Sequence, residues 1–163
     1  MSTASPKVAI LMGSNNDWPV MKRAKDVMDE LGIPSDARVI SAHRKPERLH
    51  EYVSEAEEMG VKIYIAGAGL AAHLPGVLAS MTTRPVLGVP LDAGPLKGQD
   101  ALYAIVQMPG GIPVGTLGIG GAGAKNAGLL AAEMLAISDD DLGERYKEWR
   151  KKEAAKLVEI PEL

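Results

Sequence analysis

A three-layer α/β/α sandwich built on a parallel sheet of about five strands is the fold predicted by this sequence, and three features predict it. Short apolar runs recur with little polar alternation, stretches of helical apolar spacing lie between them, and glycine or proline marks most boundaries. Strands that are apolar on both faces need covering on both faces. Strands separated by helices run parallel.

The elements follow in order. Val8 to Met12 reads as a buried strand ending at Gly13-Ser14. From Asp17, the apolar residues Val20, Met21, Ala24, Val27, Met28 and Leu31 keep helical spacing, and Gly32 and Pro34 close that helix. Ala37 to Ile40 is the second strand, and Pro46 to about Met59 the second helix, ended by Gly60. Val61 to Ala66 and Pro85 to Val89 are the third and fourth strands, and Pro113 to Ile119 is a glycine-weakened fifth. A helix follows from about Ala124 to Ile137. Residues 6–137 would then form an α/β core, flavodoxin-like or Rossmann-like. Residues 138–163 would be a charged C-terminal helix and tail of the same single domain, 1–163. Its stripe of Leu142, Tyr146, Trp149 and Leu157 would dock on the domain itself or on another subunit.

Composition narrows the function classes. A chain of 163 residues with 46% hydrophobic and 24% charged residues can bury one sizeable core. No apolar stretch reaches membrane-spanning length, and MSTASPK lacks the basic start and apolar run of a signal peptide, so a cytoplasmic protein is expected. The absence of cysteine excludes disulfides, thiolate metal sites and cysteine nucleophiles, and three scattered histidines have no metal-ligand spacing. A net charge of −3 gives no electrostatic case for nucleic acid. Eighteen glycines with no phenylalanine imply close backbone packing, and close backbone approach to a ligand or a neighbouring subunit.

In an open parallel sheet, ligands bind beyond the carboxyl ends of the strands. The three most polar or glycine-rich junctions fall at such ends: Gly13 to Asp17, Ser41 to Arg44, and Gly67 to Gly76. At the first, Gly13 and Ser14 at a helix start suit an anion. Asp17 would repel a phosphate and suits a hydroxyl partner such as ribose, or else is simply an N-cap with Pro19 in the first turn. At the second, His43 can give and take a proton near neutrality, and Arg44 offers a planar fork for phosphate. His73, in the third, could line a pocket or bond to backbone, whereas His50 lies on a helix surface. Gly67 to Ala72 fits a relaxed dinucleotide fingerprint with Asp92 about twenty residues on, and Gly118 to Gly123 fits GxGxxG, but neither has the full βαβ context.

Taken together, MGSNNDW (Met12 to Trp18), SAHRKP (Ser41 to Pro46), AGAGLAAHLPG (Ala66 to Gly76) and IVQMPGGIPVGTLGIGGAGAKNA (Ile105 to Ala127) resemble the bacterial N(5)-carboxyaminoimidazole ribonucleotide mutase family of purine biosynthesis. The blocks run in family order over roughly residues 7–137. The resemblance implies a flavodoxin-like domain in a homo-octamer with sites shared between subunits, a ribonucleotide substrate bearing a carbamate, and no cofactor or metal. It implies His43 as the proton shuttle, Ser14, Ser41 and Arg44 at the 5′-phosphate, and Asp17 at the ribose. Gly13 would belong to the same binding loop. Gly69, Ala71, His73 and Leu74 would surround the base and the migrating carboxylate.

Three positions depart from the family pattern: Asn16 stands for a serine, Lys45 for a threonine and Leu70 for a glycine, the last expected to narrow the carboxylate pocket. A second branch of the family carboxylates aminoimidazole ribonucleotide with free carbon dioxide. Its AGRSN-like loop and SAHK block differ from the residues here, so Arg44 and His73 favour the mutase branch. The alternative outside this chemistry is a nucleotide- or dinucleotide-binding module resting on Gly67 to Ala72 and Asp92.

Overall fold

The computed structural model describes residues 5–156, so Leu157 of the predicted tail stripe lies outside the described residues. In chain order the elements are β1 (Val8–Met12), α1 (Trp18–Glu30), β2 (Ser35–Val39), α2 (Pro46–Glu58), β3 (Ile63–Gly69) and α3 (Leu74–Ala79). They continue with β4 (Val86–Leu91), α4 (Gln99–Val106), β5 (Gly115–Thr116), α5 (Gly120–Ala136) and α6 (Asp140–Ala154). Among the described residues the strands form one five-stranded sheet in the order β2-β1-β3-β4-β5, every pairing parallel. This is the flavodoxin-like order, whose topological switch falls between β1 and β3.

The pleat sends alternate side chains to two apolar layers. Val8, Ile10, Met12, Ile65, Val89 and Leu91 face one cluster, with Met21, Ala24, Val27 and Met28 of α1 and the small residues Ala124, Ala127, Ala131 and Ala132 of α5. Ala9, Leu11, Tyr64 and Ala66 face the other, with residues of α2, α3 and α4. Small residues let α5 lie close to α1: a Cβ at Gly128 would come 3.0 Å from Val27 Cβ.

The charged tail docks on its own domain. Asp139 caps α6 by accepting from the Leu142 N–H at 3.0 Å, and acidic residues begin the helix while Lys151 and Lys152 end it, the order that the helix dipole favours. Trp149 Nε1 donates to Glu30 Oε2 at 2.7 Å, Arg145 Nε to the Leu31 carbonyl at 3.1 Å, and Lys125 Nζ to Glu153 Oε2 at 2.8 Å. Leu142 is buried in the cluster with α1 and α5, and Tyr146 and Trp149 pack against it.

Several boundaries differ from the sequence expectation: α5 starts at Gly120 rather than near Ala124, β4 runs on to Leu91, and three strands differ for visible reasons. β2 begins at Ser35, two residues early, because Val8 pairs with Ser35 along the edge of β1. β3 runs on to Gly69 because Gly67 and Gly69 pair with β4 at Val89 and Leu91; a Cβ on Gly67 would overlap Met21 Sδ. The fifth strand shrinks to Gly115–Thr116, beside Leu87 and Gly88. The helices α3 and α4 were not anticipated. Pro75 sits in the first turn of α3, where its missing N–H costs nothing.

Candidate active site

Strand register brings the polar junctions together. Met12, the last residue of β1, pairs with Val39 on one side and Gly67 on the other. The chain segments after β1, β2 and β3 therefore leave the sheet at nearly one level, beside the switch point. They enclose, with Ala93 after β4, an open cavity of about 560 Å³. All ten residues singled out from the sequence line it: Gly13, Ser14, Asp17, Ser41, His43, Arg44, Gly69, Ala71, His73 and Leu74. Asn16, Ala42, Ala68, Leu70 and Ala93 complete the lining.

At the β1 end, Ser14 and Asp17 cap a single 3-10 turn, Asn15–Asp17, that leads into α1. The Ser14 N–H donates to Asp17 Oδ2 at 2.9 Å, and the Asn16 N–H to Ser14 Oγ at 3.2 Å. Asp17 is thus a cap, and it also faces the cavity. Burial pushes its carboxyl above the ordinary aspartate value, against the lowering influence of the Ser14 and Gly13 N–H groups and the Arg44 charge.

At the β2 end the chain turns through Ala42 to Arg44, closed by the Lys45 N–H to the Ser41 carbonyl at 2.9 Å. Ser41 Oγ accepts from Arg44 N at 3.3 Å and from Arg44 Nε at 3.2 Å. Arg44 Nη2 donates to the Gly13 carbonyl at 2.9 Å. The guanidinium therefore ties the β2 junction to the β1 junction, with its remaining N–H groups available to an anion.

His43 and His73, thirty residues apart, meet with Nε2 of His43 2.8 Å from Nδ1 of His73. The rings are edge-on, their centroids 4.9 Å apart. Such a contact holds one hydrogen: one ring donates and the other accepts, according to tautomer. His50, by contrast, is exposed on α2, as its position suggested.

This pairing was not read from the sequence, because only the crossover from β2 past β1 to β3 brings the loops together. Ala93 was also missed, although the strand-end argument applied to β4 would have found it. The dinucleotide pattern dissolves in three dimensions: Gly67 and Gly69 lie within β3, and the next helix starts only at Leu74.

An open parallel sheet with a histidine pair and an arginine-serine cluster at its switch point has the architecture of a small-molecule enzyme of flavodoxin-like fold. The chain belongs to the AIR carboxylase family, whose sequence model matches residues 7–156. It is 55% identical to the N5-carboxyaminoimidazole ribonucleotide mutase of Brucella melitensis, over 96% of this chain and 97% of the relative. The mutase of the same name from Bacillus subtilis is 52% identical, over 94% and 95%, and that of Escherichia coli K12 51%, over 96% and 92%. Among solved structures, Treponema denticola PurE superposes with a TM-score of 0.83 at 28% identity, covering 93% of each chain.

Proposed function

We propose that the protein is an isomerase of purine biosynthesis that moves the carboxylate of N5-carboxyaminoimidazole ribonucleotide from the exocyclic nitrogen to carbon 4 of the imidazole. Relatives that share half its residues over nearly their whole length carry this activity in their names. The single structural observation that supports it most is the His43–His73 pair on the wall of the cavity.

The chemistry needs what this wall offers. Protonation of the carbamate nitrogen breaks its bond to the carboxylate and frees carbon dioxide, leaving an amino-imidazole that is enamine-like at carbon 4. Carbon 4 attacks the trapped carbon dioxide, and the proton on that carbon then leaves. One imidazole gives a proton at the start and regains one at the end, so nothing is consumed. In this reading His43 is the shuttle. His73 fixes its ring and supplies the hydrogen-bond partner that sets which nitrogen carries the proton. Ser14, Ser41 and Arg44 hold the 5′-phosphate, Gly13 lets that loop approach it, and Asp17 takes the ribose hydroxyls. Gly69, Ala71 and Leu74 enclose the base and the migrating carboxylate.

The test is isomerisation of freshly prepared N5-carboxyaminoimidazole ribonucleotide, followed by ultraviolet absorbance of the product. Wild-type protein should turn over, and His43→Asn should lose roughly 10²–10⁴ of the rate, the usual worth of a positioned acid–base group. Inert, well-folded wild-type protein would refute the activity. A fully active His43→Asn would refute the role.

We further infer a homo-oligomer, the octamer that the family resemblance implies. Leu96, Tyr103, Val106 and Ile119 support it, as large apolar side chains left exposed around α4 and the approach to α5, Tyr103 to 64%. Light scattering in solution gives the mass. We assign the protein to the cytoplasm, where phosphorylated ribonucleotides, too charged to cross a bilayer unaided, are retained.

A further inference from the structure

The wall of the cavity formed by the β1 and β2 ends is poor in positive charge for an anion site. Arg44 is the only arginine or lysine among the lining residues, and the Asp17 carboxyl stands on the same wall. A phosphate monoester spreads about two negative charges over three acceptor oxygens. Most of its hydrogen bonds must therefore come from neutral donors.

The contacts already made show which donors remain. Ser14 Oγ accepts from the Asn16 N–H, and Ser41 Oγ accepts from Arg44, so each hydroxyl hydrogen is left to point into the cavity. Arg44 commits Nε to Ser41 and an Nη2 hydrogen to the Gly13 carbonyl. Asn16 is different. It lines the cavity and is exposed, and its side chain makes no hydrogen bond among the described residues. Its backbone is held in the 3-10 turn by the N–H bond to Ser14 Oγ at 3.2 Å. The carboxamide therefore leaves a fixed turn beside Ser14 with two N–H donors and one acceptor oxygen unused. Serine, the residue of the family pattern here, would offer one hydrogen, one bond nearer the backbone. A lysine in this place would pair with Asp17, whereas a carboxamide leaves that carboxyl to a hydroxyl partner.

Resting on the mutase reading above, which puts the 5′-phosphate at Ser14, Ser41 and Arg44, we propose that the Asn16 carboxamide N–H groups are a further donor to that phosphate. Recognition of the anion in this chain then depends on a neutral side chain as well as on Arg44.

The experiment is equilibrium binding by calorimetry, in bicarbonate-free buffer, with full-length protein and two ligands that differ only in the phosphate: aminoimidazole ribonucleotide and its nucleoside. Asn16→Ala removes the donors and keeps the backbone N–H that Ser14 accepts. Asn16→Asp keeps the size and the acceptor, loses the donors and adds a negative charge. Asn16→Ala should melt like the wild type and bind the ribonucleotide about tenfold more weakly, the worth of one hydrogen bond to a charged partner. Asn16→Asp should bind it more weakly still, and the nucleoside should bind all three proteins alike. Unchanged ribonucleotide binding by Asn16→Ala would overturn the proposal. Equal weakening of both ligands would also overturn it, as would an Asn16→Asp protein that binds the ribonucleotide like the wild type, because the carboxamide would then accept from the ribose instead. Arg44→Ala tests the underlying placement separately: if it binds both ligands as the wild type does, the phosphate lies elsewhere and the reading itself is at fault.

Discussion

Asp17 carries two duties that pull against each other. Its carboxylate caps the turn before α1 through the Ser14 N–H, yet burial pushes its pKa up, which means that folding is harder when it is charged. For an acid whose folded value is raised, its contribution to stability is complete below the unfolded value. It is withdrawn as pH climbs through the folded value. Asp17→Asn keeps an acceptor for the Ser14 N–H and removes the charge, so at neutral pH it should melt no lower than the wild type, while the proposed role of Asp17 at the ribose requires KM to rise. Thermal denaturation and steady-state kinetics on the same preparation check both halves. Arg44→Ala should mainly raise KM, by about tenfold or more, the worth of one charge-assisted hydrogen bond to an anion. Leu70 is left-handed, with φ of 55°; Leu70→Gly should change stability by no more than ~1 kcal/mol, because relief of that strain is offset by the freer unfolded chain.

Among the elements, what could be read in advance and what could not follows physical lines. β1, α1 and α2 were legible because an uninterrupted apolar run and a 3.6-residue spacing leave one reading each. Every candidate site residue was legible as a place on the rim, because parallel strands deliver all their carboxyl ends to one side. The short helices α3 and α4 were not. Leu74-Pro75-Gly76 reads as a breaker unless its position in a first turn is known, and α4 begins after a left-handed Gly98 with only Ala101 and Ile105 buried. The extension of β3 through Gly67 is likewise a tertiary fact, set by Met21 beneath it. Gly67→Ala should therefore cost about 1–3 kcal/mol, the usual range for overpacking. Gly110→Ala, where an added Cβ meets nothing among the described residues, should leave the denaturation midpoint in place.

The whole molecule carries a built-in sensitivity to alkali. Burial raises the phenol of Tyr64 to about 12 and that of Tyr146 to about 12, helped by the hydrogen bond it donates to Glu133. Tyr52 is pushed higher still by burial and by Asp36, to which it donates at 2.9 Å. Neutral phenols in these places stabilise fully below the unfolded value of 10.0 and lose that stability as pH climbs toward 12. Urea midpoints measured between about pH 9 and 11 should fall, and Tyr64→Phe should make the fall shallower. Trp149→Ala should cost about 2–3 kcal/mol by loosening α6 from α1 and α5, a loss visible in the same titration. The cavity has a different bearing on how the protein comes into being. Its walls are drawn from residues as far apart as Gly13 and Ala93, and they meet only when β3 has paired with β1 on one side and β4 on the other. A nascent chain still short of Ala93 has no complete cavity, and parallel pairings over such sequence distances form slowly. Recovery of turnover during refolding will thus trail the return of helical signal and coincide with closure of the sheet.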